Sequence, residues 1–142
     1  MKRCPSVGII GAGAAGLVAT EVLSCSGVHV RTFERSKALG GVWNLAINKE
    51  GPMYKTLRSN LPKEIMAVPG FDFIDKIEHF KSTSENLSAL LNDYSTSQSS
   101  FVTHAEVQLY LERYAMERQI HDLIRQRSTL QIRKQKYLNR KR

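Results

Sequence analysis

The chain has 142 residues, enough for one domain with a core of its own but short for an enzyme that must hold a dinucleotide together with a second substrate. Its formal net charge of +8 would suit a polyanion, yet residues 1–124 carry equal numbers of basic and acidic side chains. The excess lies wholly in Arg125, Arg127, Arg133, Lys134, Lys136, Arg140, Lys141 and Arg142, which argues against specific nucleic-acid recognition by the body of the chain. Two cysteines, Cys4 and Cys25, make neither a disulfide framework nor a metal-ligand set, so a reducing compartment is the default, and no apolar run is long enough to span a bilayer.

The first predicted element is a buried parallel strand at about 6–10, carried by the apolar run Val7 to Ile10. Gly11-x-Gly13-x-x-Gly16 follows and opens a helix at about 14–26 through Leu17, Val18, Val22 and Leu23. At this spacing Gly11 permits a tight turn, Gly13 lets backbone approach a pyrophosphate, and Gly16 lets the helix pack closely on the strand. The helix N-terminus then offers unpaired amides to the phosphates. Lys2 and Arg3 ahead of small apolar residues superficially resemble a signal peptide, but the glycine spacing favours strand, turn and helix.

Gly27 is the expected helix stop, and residues 28–33 alternate as a second strand with Glu34 at its end. That acid falls where a carboxylate accepts hydrogen bonds from a ribose diol. A βαβ start with its acid is far more specific than glycines alone, and it predicts a Rossmann-like, three-layer α/β fold that binds a dinucleotide. The bland alternative is a glycine-rich turn with a surface glutamate. Next, the adjacent Gly40 and Gly41 suggest backbone passing close to something flat or charged, with Trp43 either its lid or a core tryptophan.

Glu34-Arg-Ser, Leu39-Gly-Gly-Val-Trp43 and the run Met53-Tyr-Lys-Thr-Leu-Arg-Ser-Asn-Leu-Pro-Lys-Glu-Ile-Met66 together carry a family likeness. Over residues 5 to about 125 the chain resembles the N-terminal, FAD-binding part of the flavin-containing monooxygenases. The resemblance implies FAD and NADPH as cofactors, a small nitrogen- or sulfur-containing substrate that receives one oxygen atom, and a place in the cytoplasm or on the cytosolic face of the endoplasmic reticulum. It assigns Gly11, Ala12, Gly13, Ala14, Ala15 and Gly16 to the FAD pyrophosphate and Glu34 to the adenosine ribose, and it lays Val42 and Trp43 against the flavin nucleotide. Ser59, Asn60 and Leu61 match the motif beside the flavin ring, with Asn60 the catalytic candidate whose amide holds a reactive intermediate and the nicotinamide. Without the resemblance, Asn60 before Leu-Pro reads as a turn residue.

From Phe71 to Ser100 the family pattern is interrupted, and an insertion is expected at about 74–100. Ser82-x-x-Glu85 would cap a short surface helix carrying Leu87, Leu90, Leu91 and Tyr94. Thr103-x-x-Glu106 is a second capping box, ahead of a helix at about 104–118 whose core stripe is Val107, Tyr110, Leu111, Tyr114 and Ala115. His104 in its first turn has no nucleophile or carboxylate at a telling spacing and reads as solvated.

The family resemblance stops at about Arg125. Residues 1–125 are therefore expected to form a partial FAD-binding domain, and 126–142 an irregular basic tail. The sequence holds one glycine fingerprint and no second one for NADPH, so the chain reads as truncated, lacking later strands and an NADPH domain, and inactive by itself. A second reading is a non-catalytic dinucleotide-binding module whose basic tail meets acidic partners; stoichiometric flavin after purification separates the two.

Overall fold

A computed structural model describes residues 4–45, 54, 56–73 and 99–130. The expected surface helix around Leu87 to Tyr94, and the tail from residue 131 onward, lie outside the described residues. Strand β1 spans Ser6–Ile10, helix α1 Ala14–Cys25 and strand β2 His29–Phe33, each within one residue of its expected start. A 3-10 turn follows at Gly41–Trp43, then a single helical turn α2 at Lys63–Met66, helix α3 at His104–Glu117, a second 3-10 turn at His121–Leu123 and the two-residue strand β3 at Ile124–Arg125.

The sheet runs β1-β2-β3, with both pairings parallel. Register explains which side chains go inside. Val7 pairs with Val30 and Ile9 with Thr32, and Val30 and Thr32 are the buried residues of β2, on the face that α1 covers. The intervening residues point the other way, as the period of two demands: Ser6, Gly8, Ile10, His29 and Arg31 are exposed, Ile10 by 74%. One helical layer thus covers one face of a small parallel sheet, the architecture of an incomplete Rossmann-like α/β fold.

Helix α1 is fastened to the sheet by a hydroxyl relay. Thr20 Oγ1 donates to the carbonyl of Gly16 at 2.6 Å, so the 2.6 Å contact between the two hydroxyls must be donated by Thr32. Both threonines are fully buried. The larger core then forms between α1 and α3, where Ala12, Leu17 and Leu39 meet Val107, Leu111, Tyr114 and Ala115.

Helix α3 begins as its sequence says. Glu106 N donates to Thr103 Oγ1 at 3.3 Å, and Thr103 N donates to Glu106 Oε2 at 2.6 Å, closing the expected capping box. Further along, Tyr110 accepts from Val68 N at 2.7 Å and donates to the Phe71 carbonyl at 2.8 Å, while Phe73 stacks on its ring at 4.0 Å. Arg113 lies over Phe71 with its carbon 4.2 Å from the ring centre. The aromatic segment 68–73 is thereby clamped along the helix, whose expected core stripe is buried at every named position.

Candidate functional site

The C-terminal ends of β1 and β2 carry the site. Gly11 leaves β1 at φ +93°, a left-handed conformation that only glycine adopts without strain, and its amide donates to the Phe33 carbonyl at 2.8 Å. The chain then turns so tightly that a Cβ on Gly16 would stand 2.0 Å from the Gly11 carbonyl oxygen. This is the close helix-to-strand approach expected of the third glycine.

The N-terminus of α1 is built open. Gly13 is the N-cap, no side chain caps it, and the first turn holds no acid, whereas α3 closes its own start with Thr103 and Glu106. The first amides of a helix have no intrahelical partners, so this uncapped end presents donors and a positive dipole end to an anion. Ala14 and Ala15 are exposed there and put no bulk in the way.

Glu34 stands directly at this turn. Its Oε2 accepts from the Ala12 amide at 2.7 Å and its Oε1 from the Ser36 amide at 2.7 Å, and the residue is only 7% exposed. The Ser36 hydroxyl also bonds the carboxylate, whose two oxygens together still keep a lone pair for a ribose hydroxyl. Burial alone would raise the Glu34 pKa, but the Ala12 and Ser36 amides and the Arg35 charge outweigh it, and the group lies below the ordinary glutamate value of 4.5.

Because the folded-state pKa is the lower one, the stabilisation from Glu34 is present above the unfolded pKa and is lost as pH falls through the folded one. Denaturation midpoints are therefore expected to drop as pH falls below the ordinary glutamate value of 4.5. Glu34→Gln should flatten that dependence, as followed by circular dichroism.

A third segment completes the cradle. Gly40 and Gly41 have φ of +99° and +58°, the Gly40 amide donates to the Ala12 carbonyl at 3.0 Å, and a Cβ on Gly13 would lie 3.7 Å from Gly41 Cα. The 3-10 turn that follows leaves Val42 48% exposed, while Trp43 is half-buried and packs against the core. A fourth segment, unexpected from the sequence, runs beside the acid. Glu34 N donates to the Arg125 carbonyl at 2.9 Å, Ser128 N to the Glu34 carbonyl at 2.9 Å and Arg127 N to the Ser36 carbonyl at 3.1 Å.

The Asn60 loop is held from another direction. Ser59 N donates to the Val102 carbonyl at 2.7 Å, the Val102 amide donates back to Ser59 Oγ at 3.0 Å, and His104 N donates to the Leu57 carbonyl at 3.3 Å. Ser59 is buried, and its hydroxyl is engaged with the start of α3; Asn60 and Leu61 are exposed. The Ser59 hydroxyl thus anchors the loop as an acceptor and keeps its own proton to donate. The structure brings Gly11 to Gly16, Glu34 and the Gly40–Gly41 turn together by direct contacts. The loop before Asn60 and Leu61 is tied, through Leu57 and Ser59, to the residues that lead into α3.

The model of the flavin-binding monooxygenase-like family matches residues 4–137, past the point where the resemblance read from the sequence ends. Flavin-containing monooxygenase FMO GS-OX1 of Arabidopsis thaliana is 32% identical over 133 residues, covering 84% of this chain and 26% of that protein. Putative flavin-containing monooxygenase FMO GS-OX-like 11, from the same organism, is 34% identical over 137 residues, covering 87% of this chain and 74% of that protein. Among solved structures, S-allyl-L-cysteine S-oxygenase from Allium sativum superposes with a TM-score of 0.64 at 29% identity, covering 88% of this chain and 28% of that one. A steroid monooxygenase bound to NADP gives 0.58 at 25% identity, covering 87% and 20%. The chain thus spans about a quarter of the length of FMO GS-OX1 and of these solved relatives.

Proposed function

This chain belongs to the flavin-binding monooxygenase-like family, and from that premise we propose that residues 11–61 form the FAD-binding part of a monooxygenase that uses FAD and NADPH to oxygenate a nucleophilic sulfur or nitrogen atom of a small substrate. The observation that carries the cofactor reading is the 2.7 Å bond from the Ala12 amide to Glu34 Oε2. It joins the phosphate turn and the ribose acid into one rigid unit.

On this reading the amides of Gly13, Ala14 and Ala15 and the dipole of α1 meet the pyrophosphate. Gly11 and Gly16 give the turn its shape, and the free lone pair of Glu34 accepts from the adenosine ribose. Val42 and Trp43 lie on the flavin side. Ser59 holds the loop in place, so that the exposed Asn60 amide, with Leu61 beside it, can donate to a group at the flavin edge. FAD, when bound, supplies the redox chemistry and the activation of oxygen; the chain's own residues bind, orient and neutralise charge.

The sulfur preference draws its support from the relative named for S-oxygenation of S-allyl-L-cysteine, and the NADPH requirement from the steroid monooxygenase bound to NADP. Residues 1–125 are proposed as a partial FAD-binding domain, and the bonds of Arg127 and Ser128 to Ser36 and Glu34 carry it into the start of the basic segment. Among the described residues no helix is long and apolar enough to cross a membrane.

Flavin fluorescence titration of the wild-type chain and of Glu34→Ala tests the reading. The substitution removes a charge-assisted hydrogen bond and is expected to weaken FAD binding by about 1.5 to 3 kcal/mol. Equal affinity in the two proteins would remove Glu34 from the cofactor site.

A further inference from the structure

Gln108 is a polar residue in the middle of the α3 core face, 6% exposed. Its Nε2 donates to the Leu39 carbonyl at 3.0 Å and to Glu112 Oε1 at 2.6 Å. Two acceptors on that side fix the amide's orientation, since the reversed amide would set its oxygen against both of them. The oxygen therefore points the other way. There Gln108 Oε1 has no hydrogen-bond partner among the described residues and lies 1.8 Å from where a Cβ on Gly40 would be. It rests against Gly40, whose Cα–H is a weak donor.

Gly40 is the residue whose amide reaches the Ala12 carbonyl, and Gly41, the next one, faces Gly13. Four residues before Gln108, the start of the same helix holds the Asn60 loop through Leu57 and Ser59. We propose that Gln108 is a positioning residue for the cofactor cradle. By gripping Leu39 and Gly40 it sets the Gly40–Gly41 turn against the phosphate turn, and through α3 it fixes the spacing between that turn and Asn60. The cofactor half of this proposal rests on the FAD reading above; the gripping of the turn does not.

The amide of Gln108 supplies what a leucine of similar volume cannot. It is a donor that captures the Leu39 carbonyl, and its flat oxygen fits only beside a residue without a Cβ. This accounts for a buried polar side chain, with an oxygen left over, on an otherwise apolar stripe.

Two measurements on the 142-residue chain test it. The first is amide hydrogen exchange in the wild type and in Gln108→Met, which keeps the side-chain length and removes the hydrogen bonds. Exchange at Gly40 is expected to be about fivefold faster or more, while Val107 and Leu111 in the helix itself exchange at wild-type rates. A general core defect would accelerate all of them alike. Glu112→Ala, at a half-buried position, removes the second acceptor; it should move Gly40 exchange in the same direction and stands in for Gln108→Met if that protein does not fold.

The second measurement is FAD titration of Gly40→Ala, Gln108→Ala and the double variant. Gly40→Ala places a methyl group into Oε1 and should abolish binding. Removing the obstacle with Gln108→Ala leaves the strain at φ +99° and the lost grip on Leu39, both smaller than the overlap, so the double variant should bind at least about tenfold better than Gly40→Ala alone. Unchanged Gly40 exchange in the Gln108 and Glu112 variants, or a double variant no better than Gly40→Ala, overturns the proposal. Should the wild type take up no FAD while Gly40 exchange responds as described, the cofactor reading fails and the positioning of the turn stands.

Discussion

Gly16→Ala is expected to unfold the chain or to leave it unable to bind flavin at any practical concentration. The added Cβ would lie 2.0 Å from the Gly11 carbonyl oxygen and 3.0 Å from its carbon, both backbone atoms of the turn. They cannot move aside without pulling the Gly11 amide from the Phe33 carbonyl and tilting α1 off the sheet. Overpacking of a tight core typically costs about 1–3 kcal/mol, and a backbone obstacle belongs at or above the top of that range.

The same methyl group at Gly8 is the control. Its Cβ meets only Phe33 Cε2, at an ordinary 3.6 Å, so Gly8→Ala should melt like the wild type. Thermal denaturation followed by circular dichroism compares them. A Gly16→Ala protein with the wild-type transition would show that the helix does not approach the strand as described.

The 142-residue chain by itself is expected to show no substrate-dependent NADPH oxidation. Hydride transfer needs the nicotinamide held beside the flavin, and the single glycine fingerprint of the sequence is joined to Glu34 at the FAD cradle. Among the described residues β1 is paired on one side only and Ile10 at its end is exposed, so the sheet offers an unpaired edge. The assay adds FAD, NADPH and either a thioether or a tertiary amine. NADPH consumption that depends on both flavin and substrate would mean that these residues alone build a nicotinamide site.

Much of this was legible in the sequence because the signals are local. Val7 to Glu34 announce strand, turn, helix, strand and acid within a single βαβ unit, and Thr103 with Glu106 announces the start of α3. The strand β3 was not legible, since Ile124–Arg125 is a strand only through pairing with Thr32 and Phe33, about ninety positions earlier. The contacts of Arg125, Arg127 and Ser128 with Glu34 and Ser36 were hidden for the same reason: they are backbone bonds, indifferent to side-chain type.

Ser59 has a tie that no spacing announces: its hydroxyl accepts from the Val102 amide, a long-range bond. Gln108 did leave a signal. It lies three and seven positions before Leu111 and Ala115, on the buried side of an amphipathic helix, where a polar residue calls for a partner.

The most direct test of the account is an equilibrium flavin titration of the wild type against Gly13→Val. The new Cβ enters at an ordinary 3.7 Å from Gly41 Cα, and Gly13 has the extended φ of −78° that any residue adopts, so the variant is expected to fold. Its branched methyl groups would then occupy the mouth of the α1 N-terminus, where the pyrophosphate is proposed to sit. One FAD per wild-type chain is expected, with an affinity at least about tenfold weaker in Gly13→Val. A folded Gly13→Val protein that binds FAD as tightly as the wild type would contradict it.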